Sequence, residues 1–134
     1  MAIITNNDDK ILLTQEYRRG VKKIMYSFPG GHMNNKENPI NAVKREVKEE
    51  TGLVCTKWKK ILAYVKDTTY LCGRDYLFTA ETKISYNKKN LKKSKEIHKL
   101  IWVSRKQFKK ILKNPNNSSG FLACAYYFLN NIKH

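Results

Sequence analysis

At 134 residues, 41% of them hydrophobic, the chain can bury one core but has no room for an accessory fold, so a single domain over residues 1–134 is expected. No apolar run approaches the about 20 residues of a membrane span, and Met1–Leu13 carries Asn and Asp where a secretory leader needs basic and then apolar residues; this excludes a membrane protein and points to the cytoplasm. The formal charge of +16, from 27 Lys and Arg against 11 Asp and Glu, attracts polyanions, although plentiful Lys and Asn also fit a solubilising surface set by composition.

In chain order, Ala2–Thr5 and Lys10–Tyr17 predict two strands around the polar turn Asn6-Asn7-Asp8-Asp9. Ile24–Phe28 predicts a third strand, leading into Pro29-Gly30-Gly31. A helix is expected from Pro39 to about Thr51, because Asn38 suits the cap, Pro39 the first helical position and Gly52 the left-handed stop. Leu53–Val65, Arg74–Glu81 and Ile97–Val103 predict three further strands. Ser104 caps a helix to about Leu112, Asn114-Pro115-Asn116-Asn117 breaks it, and Ser119 precedes a last apolar helix to about Ile132. Cys55, Cys72 and Cys124 are odd in number and widely spaced, which suggests reduced thiols rather than a disulfide framework or a zinc site.

The order of elements fits an α/β fold with a mixed sheet and helices on both faces. Within the first helix, at about 100° per residue, Glu46, Glu49 and Glu50 share one face, and Ile40, Val43 and Val47 form an apolar stripe beside it. Carboxylates that converge repel one another unless a cation or proton sits among them. Hard oxygen donors without thiolates favour magnesium or manganese, and magnesium commonly shares itself between a few carboxylates and substrate phosphate. A solvated helix face is the plain alternative for such a charge run.

The stretch Gly31, Glu37 and Arg45-Glu46-Val47-Lys48-Glu49-Glu50-Thr51-Gly52-Leu53 has every specified position of the Nudix box, which it resembles. That resemblance implies an α/β/α sandwich and metal-dependent hydrolysis of a diphosphate linked to a nucleoside. It carries over Glu46, Glu49 and Glu50 as ligands of Mg2+ or Mn2+, with a backbone carbonyl from Gly30. Arg45 would orient Glu46, and Glu37 would brace the loop through Arg45 or bind metal through water. Glu96, ahead of Ile101-Trp102-Val103-Ser104, is the candidate for a fourth carboxylate. The catalytic set is then Arg45, Glu46, Glu49 and Glu96, with Glu46 or Glu96 as general base.

Specificity has to come from outside the box. Gln15-Glu16-Tyr17-Arg18 resembles the Gln-Tyr-Arg stretch of ADP-sugar pyrophosphatases, which favours ADP-ribose or a related ADP-sugar and nominates Arg18 or Arg19 for phosphate. The chain departs from that subgroup in its amino-terminal segment, used there for dimerisation, so a homodimer stays open. Tyr70 stands near where diadenosine polyphosphate hydrolases have a tyrosine. Tyr17, Tyr26, Phe28, Tyr70 and Tyr76 are candidates for a base-stacking slot. His32 and His98 could touch phosphate but read more simply as ordinary loop or strand residues. Nucleoside triphosphates, dinucleoside polyphosphates and RNA 5′ ends are alternative substrates. A non-catalytic nucleotide- or RNA-binding module on the same fold is the alternative of another kind.

Overall fold

Ile3-Ile4 and Ile11-Leu12-Leu13 are runs of consecutive apolar residues, and strands built from them need cover on both faces. The computed structural model describes residues 1–65, 73–83 and 97–132 and provides that cover. Strands β1 (Ala2–Asn6), β2 (Ile11–Arg18), β3 (Lys23–Ser27), β4 (Thr56–Val65), β5 (Arg74–Thr82) and β6 (Ile97–Val103) form one sheet. Its order is β3-β2-β1-β5-β4, with β6 also paired to β2. β1 and β5 run parallel, Ala2 opposite Phe78, while the other pairs are antiparallel, so the sheet is mixed.

The first two strands diverge quickly. β1 and β2 are in register at Thr5 and Ile11, after which β2 pairs with β6 from Ile11 to Glu16 and with β3 from Thr14 to Arg18. Asn6 fixes the turn: its Oδ1 accepts the N–H groups of Asp8 and Lys10, both at 3.0 Å.

Helix α1 (Pro39–Thr51) covers one face, where Val43 and Val47 pack with Ala2, Ile4, Leu12 and Phe78. Ile40, the third member of the expected stripe, is half-buried against them. Helices α2 (Arg105–Ile111) and α3 (Ser119–Asn131) cover the other, where Phe108, Phe121, Cys124 and Phe128 meet Ile3, Ile11 and Leu13. The Phe28 ring lies 4.9 Å from that of Phe121, which makes Phe28 part of this core and removes it from the candidates for base stacking. Layers of helix, sheet and helix follow, as the resemblance implies.

Caps set the helix limits. Asn38 Oδ1 accepts the Ile40 N–H at 3.0 Å, Pro39 opens α1, and Gly52 closes it with φ 71° and an N–H to the Lys48 carbonyl at 2.9 Å. Ser104 and Gln107 bond each other's backbone reciprocally at the start of α2. The cap of α3 is Ser118, one residue before the expected Ser119, and Ser119 is the first helical residue. β4 starts at Thr56 rather than Leu53. The Leu53 N–H is bound by Thr51 Oγ1 at 3.1 Å, which ties Leu53 to the helix end and withholds it from the sheet.

Among the described residues β4 lies at an edge, mostly exposed, with register shifts along its pairing and Lys57 at φ 51°. No described helix is long and apolar enough to cross a membrane. Cys55 is half-buried and Cys124 buried, both free thiols, and burial pushes the Cys55 thiol up to about 11. Cys72 lies outside the described residues.

Gly52 provides a direct check on the stop of α1. A Cβ in the left-handed region costs roughly 1–2 kcal/mol, so Gly52→Ala is expected to destabilise the fold by about 1 kcal/mol, measured by urea unfolding. Ala123→Gly in the exposed face of α3 serves as a comparison of similar size.

Candidate active site

The exit from β3 determines what can gather beside α1. Gly30 has φ 142°, and a Cβ there would come 2.5 Å from Met1 Cα, so the backbone passes close to the start of β1 only because glycine stands there. The Gly30 N–H then faces α1 and donates to Glu50 Oε2 at 2.8 Å. At Gly31 a Cβ would come 2.5 Å from Glu46 Oε2, so the missing side chain leaves space for the Glu46 carboxylate. Two successive glycines thus bring a loop onto two carboxylates of one helix.

Arg45 organises the rest. Its Nε and Nη2 each meet one oxygen of Glu37 at 3.0 Å, while Nη1 donates to Glu46 Oε1 at 2.8 Å and to Glu49 Oε2 at 3.3 Å. Nη2 also reaches the His32 carbonyl at 3.1 Å, and Glu37 Oε2 accepts the Asn34 N–H at 2.8 Å. One guanidinium therefore spans the loop and one turn of helix, which a lysine ammonium lacks the donors and fork geometry to do. Hydrogen bonding to Arg45 holds the Glu37 carboxyl below its usual range, and the same contacts push Arg45 up.

The Glu50 carboxyl behaves differently. Burial pushes it up to about 7, the Gly30 N–H opposes this, and the charges of Glu16 and Glu46 add to the rise. Glu16, from β2, lies in the Gln15–Arg18 stretch, which gives it no role of its own, and its place beside Glu50 arises from tertiary packing. Its Oε1 accepts from the buried Thr14 hydroxyl at 2.8 Å and its Oε2 pairs with Arg18 Nη2 at 2.7 Å.

A hard divalent cation fits these residues. The charges of Glu16 and Glu46 bear on a half-buried Glu50, and the side-chain donors are all carboxylate oxygens. Among the described residues no three His, Cys, Asp or Glu side chains stand as a ready ligand cluster. An ion here would need further oxygens from water and substrate, which is how magnesium is commonly held. Glu46 and Glu50 lie nearest to that role, whereas Glu49 is exposed and turned toward Arg45. Gly30 engages Glu50 through its N–H.

One cleft adjoins this centre and a second lies by the β2–β3 turn. The first, of about 290 Å³, is lined by Gly31, His32, Met33 and Val43 together with Arg74, Asp75 and Tyr76. The second, of about 1130 Å³, is lined by Arg18, Arg19, Lys23, Tyr26 and the 115–119 turn. Arg18 and Arg19, the expected phosphate contacts, are thus placed away from the box loop but joined to it through the pairing of Arg18 with Glu16. Tyr17 is exposed on β2, while Tyr26 and Tyr76 are half-buried. Glu96, Tyr70 and the His98 side chain lie outside the described residues. Arg74 and Asp75 carry no sequence signal of their own; β5 brings them to the box.

The model of the NUDIX domain family matches residues 1–123. The chain belongs to this family. It is 32% identical over 137 aligned residues to the m7GpppN-mRNA hydrolase of Saccharomyces cerevisiae, an alignment covering 98% of this chain and 12% of that protein. To the ADP-ribose pyrophosphatase of Bacillus subtilis it is 27% identical over 82 residues, 60% of this chain and 44% of the relative. A solved NUDIX hydrolase from Nitrosomonas europaea superposes with a TM-score of 0.72 at 25% identity, over 99% of this chain and 88% of that one. The chain spans between 12% and 61% of the length of the curated relatives it matches.

The role of Arg45 can be read without any substrate. Arg45→Lys is expected to speed hydrogen exchange at the Asn34 amide by about tenfold, since Glu37 loses its paired donors and its hold on that N–H, while the core amides of β1 stay protected.

Proposed function

We propose that this NUDIX domain hydrolyses the diphosphate linkage of a nucleoside diphosphate derivative with the help of Mg2+ or Mn2+. The observation that carries the reading is the array within the box, where Arg45 holds Glu37, Glu46 and Glu49 together while Gly30 holds Glu50 beside them. A helix face with no such task has no need of a guanidinium threaded through three acids. Glu46 and Glu50 would hold the ion, with Glu49 completing the set. When bound, a divalent ion withdraws charge from the bridging diphosphate and makes the attacking water more acidic.

The chain's own residues do the remaining work. Arg45 restricts the Glu46 carboxylate to one orientation, and Gly31 leaves it the space to occupy. A carboxylate of this edge takes the proton from the water that attacks phosphorus in line. Arg74 and Asp75, which line the cleft together with His32, would meet the rest of the substrate, and the net charge of +16 draws anionic ligands inward.

ADP-ribose or a related ADP-sugar is the favoured substrate. Support comes from Gln15-Glu16-Tyr17-Arg18 and from the likeness to the B. subtilis ADP-ribose pyrophosphatase. Hydrolysis at an RNA 5′ end is the second reading, supported by the alignment of 98% of the chain with the yeast mRNA hydrolase and by the basic charge.

Glu49→Gln and Glu50→Gln are each expected to lower kcat roughly 100-fold or more, with circular dichroism unchanged. Turnover of ADP-ribose, dinucleoside polyphosphates, nucleoside triphosphates and 5′-triphosphorylated RNA, before and after chelation, is the measurement. Near-normal rates in both variants, or activity that survives removal of divalent metal, would sink the proposal.

A further inference from the structure

A second surface lies on the opposite side of the sheet from α1. Residues 104–134 contain no Asp or Glu, yet Arg105, Lys106, Lys109, Lys110 and Lys113 fall on or just after α2. α2 and α3 enclose an open groove of about 700 Å³. Lys109 and Lys113, four residues apart, stand along one wall, and Tyr126 and Asn130, also four apart, stand along the other. Leu112, Leu129 and Ile132 make an apolar floor.

The chemistry of each wall is specific. Arg105 is drawn into the fold by Asp9, with Nη2 at 2.9 Å from Asp9 Oδ1, and sits 5.5 Å over the Phe128 ring. Lys109 and Lys113 are exposed, and no acidic residue lies on either helix to offset them. Tyr126 is 50% exposed and lines the groove, so part of its ring is open to a ligand there. A row of ammonium groups opposite an exposed aromatic face matches a strand of phosphates whose bases are unpaired, because phosphates seek the first and bases stack on the second. Asn130 adds an amide able to bond a 2′-hydroxyl, which distinguishes RNA from DNA. An anionic membrane fits less well: among the described residues of the two helices, Tyr126 is the one large apolar side chain exposed enough to enter lipid.

We infer that the α2–α3 groove binds single-stranded RNA, with Lys109 and Lys113 on the phosphates, Tyr126 stacked on a base and Asn130 at a ribose. The surface is separate from the box, so binding requires no diphosphate and no catalysis. An RNA held here lies on the helical face opposite α1 and would anchor the protein to the polymer independently of what the box cleaves.

The probe is a 3′-fluorescein-labelled oligouridylate of about 20 nucleotides with a 5′-hydroxyl end, titrated by anisotropy over a salt series. Lys109→Gln with Lys113→Gln is expected to weaken binding about tenfold and to reduce the slope of log K against log salt by about 1.4, or about 0.7 for each phosphate that is no longer neutralised. Tyr126→Ala should also weaken binding about tenfold, with the slope unchanged and with Tyr126→Phe restoring affinity. Lys59→Gln with Lys60→Gln on β4 removes as many charges elsewhere and should leave affinity within about twofold. The oligodeoxyuridylate should bind more weakly than the RNA, and Asn130→Ala should narrow that gap. An equal effect of the two lysine pairs would reduce the site to general surface charge and overturn the inference. So would unaltered binding by Tyr126→Ala, equal affinity for RNA and DNA, or binding to phosphatidylserine vesicles without binding to RNA.

Discussion

Like charges on one turn of helix are tolerable only if something holds them apart or together on fixed terms. In this chain Arg45 fixes those terms, with one fork on Glu37 and the other reaching Glu46 and Glu49. The loop and two of the helix carboxylates are arranged around that guanidinium. The loop from Gly31 to Asn38 is pinned by it through the His32 carbonyl and through Glu37, and Glu46 can face the loop because Gly31 has no side chain. Glu50 escapes its reach and is held from the other side by the Gly30 N–H. The constraint is local in sequence, confined to the box and the glycine before it, yet it depends on the sheet, because β3 has to deliver Gly30 and Gly31 to the helix edge.

Features that depend on neighbours in sequence were legible from the residues alone. Asn38, Pro39 and Gly52 delimit α1 by cap chemistry, and Ser104 begins α2 for the same reason. The mixed sheet with helices on both faces also followed from the order of apolar runs. Features that depend on distant partners were not legible. Glu16 lies in a stretch that points to no carboxylate role, and only packing places it within the field of Glu50. Phe28 is a candidate for stacking by its aromatic ring alone, but the apolar side of α2 and α3 claims it. Leu53 alternates as a strand residue would, and a single hydroxyl from Thr51 takes its N–H.

The fold separates two kinds of electrostatics. Acids concentrate where α1 meets the glycine loop, and the layer formed by α2 and α3 carries none. The sheet, apolar on both faces, stands between them and keeps the two fields from cancelling locally. The positive layer therefore shapes the approach of anions from a distance, while the acidic edge acts only at contact range and in the presence of a cation.

Strand β4, the border of the sheet among the described residues, has its own consequence. A sheet border is a template on which a second chain can add a strand, and repeated addition leads to fibrils. Shifts of register and the left-handed Lys57 break the flat run of donors and acceptors there, and Lys59 and Lys60 add ammonium groups that repel an identical border. The irregularity of that strand works as protection against self-templated aggregation.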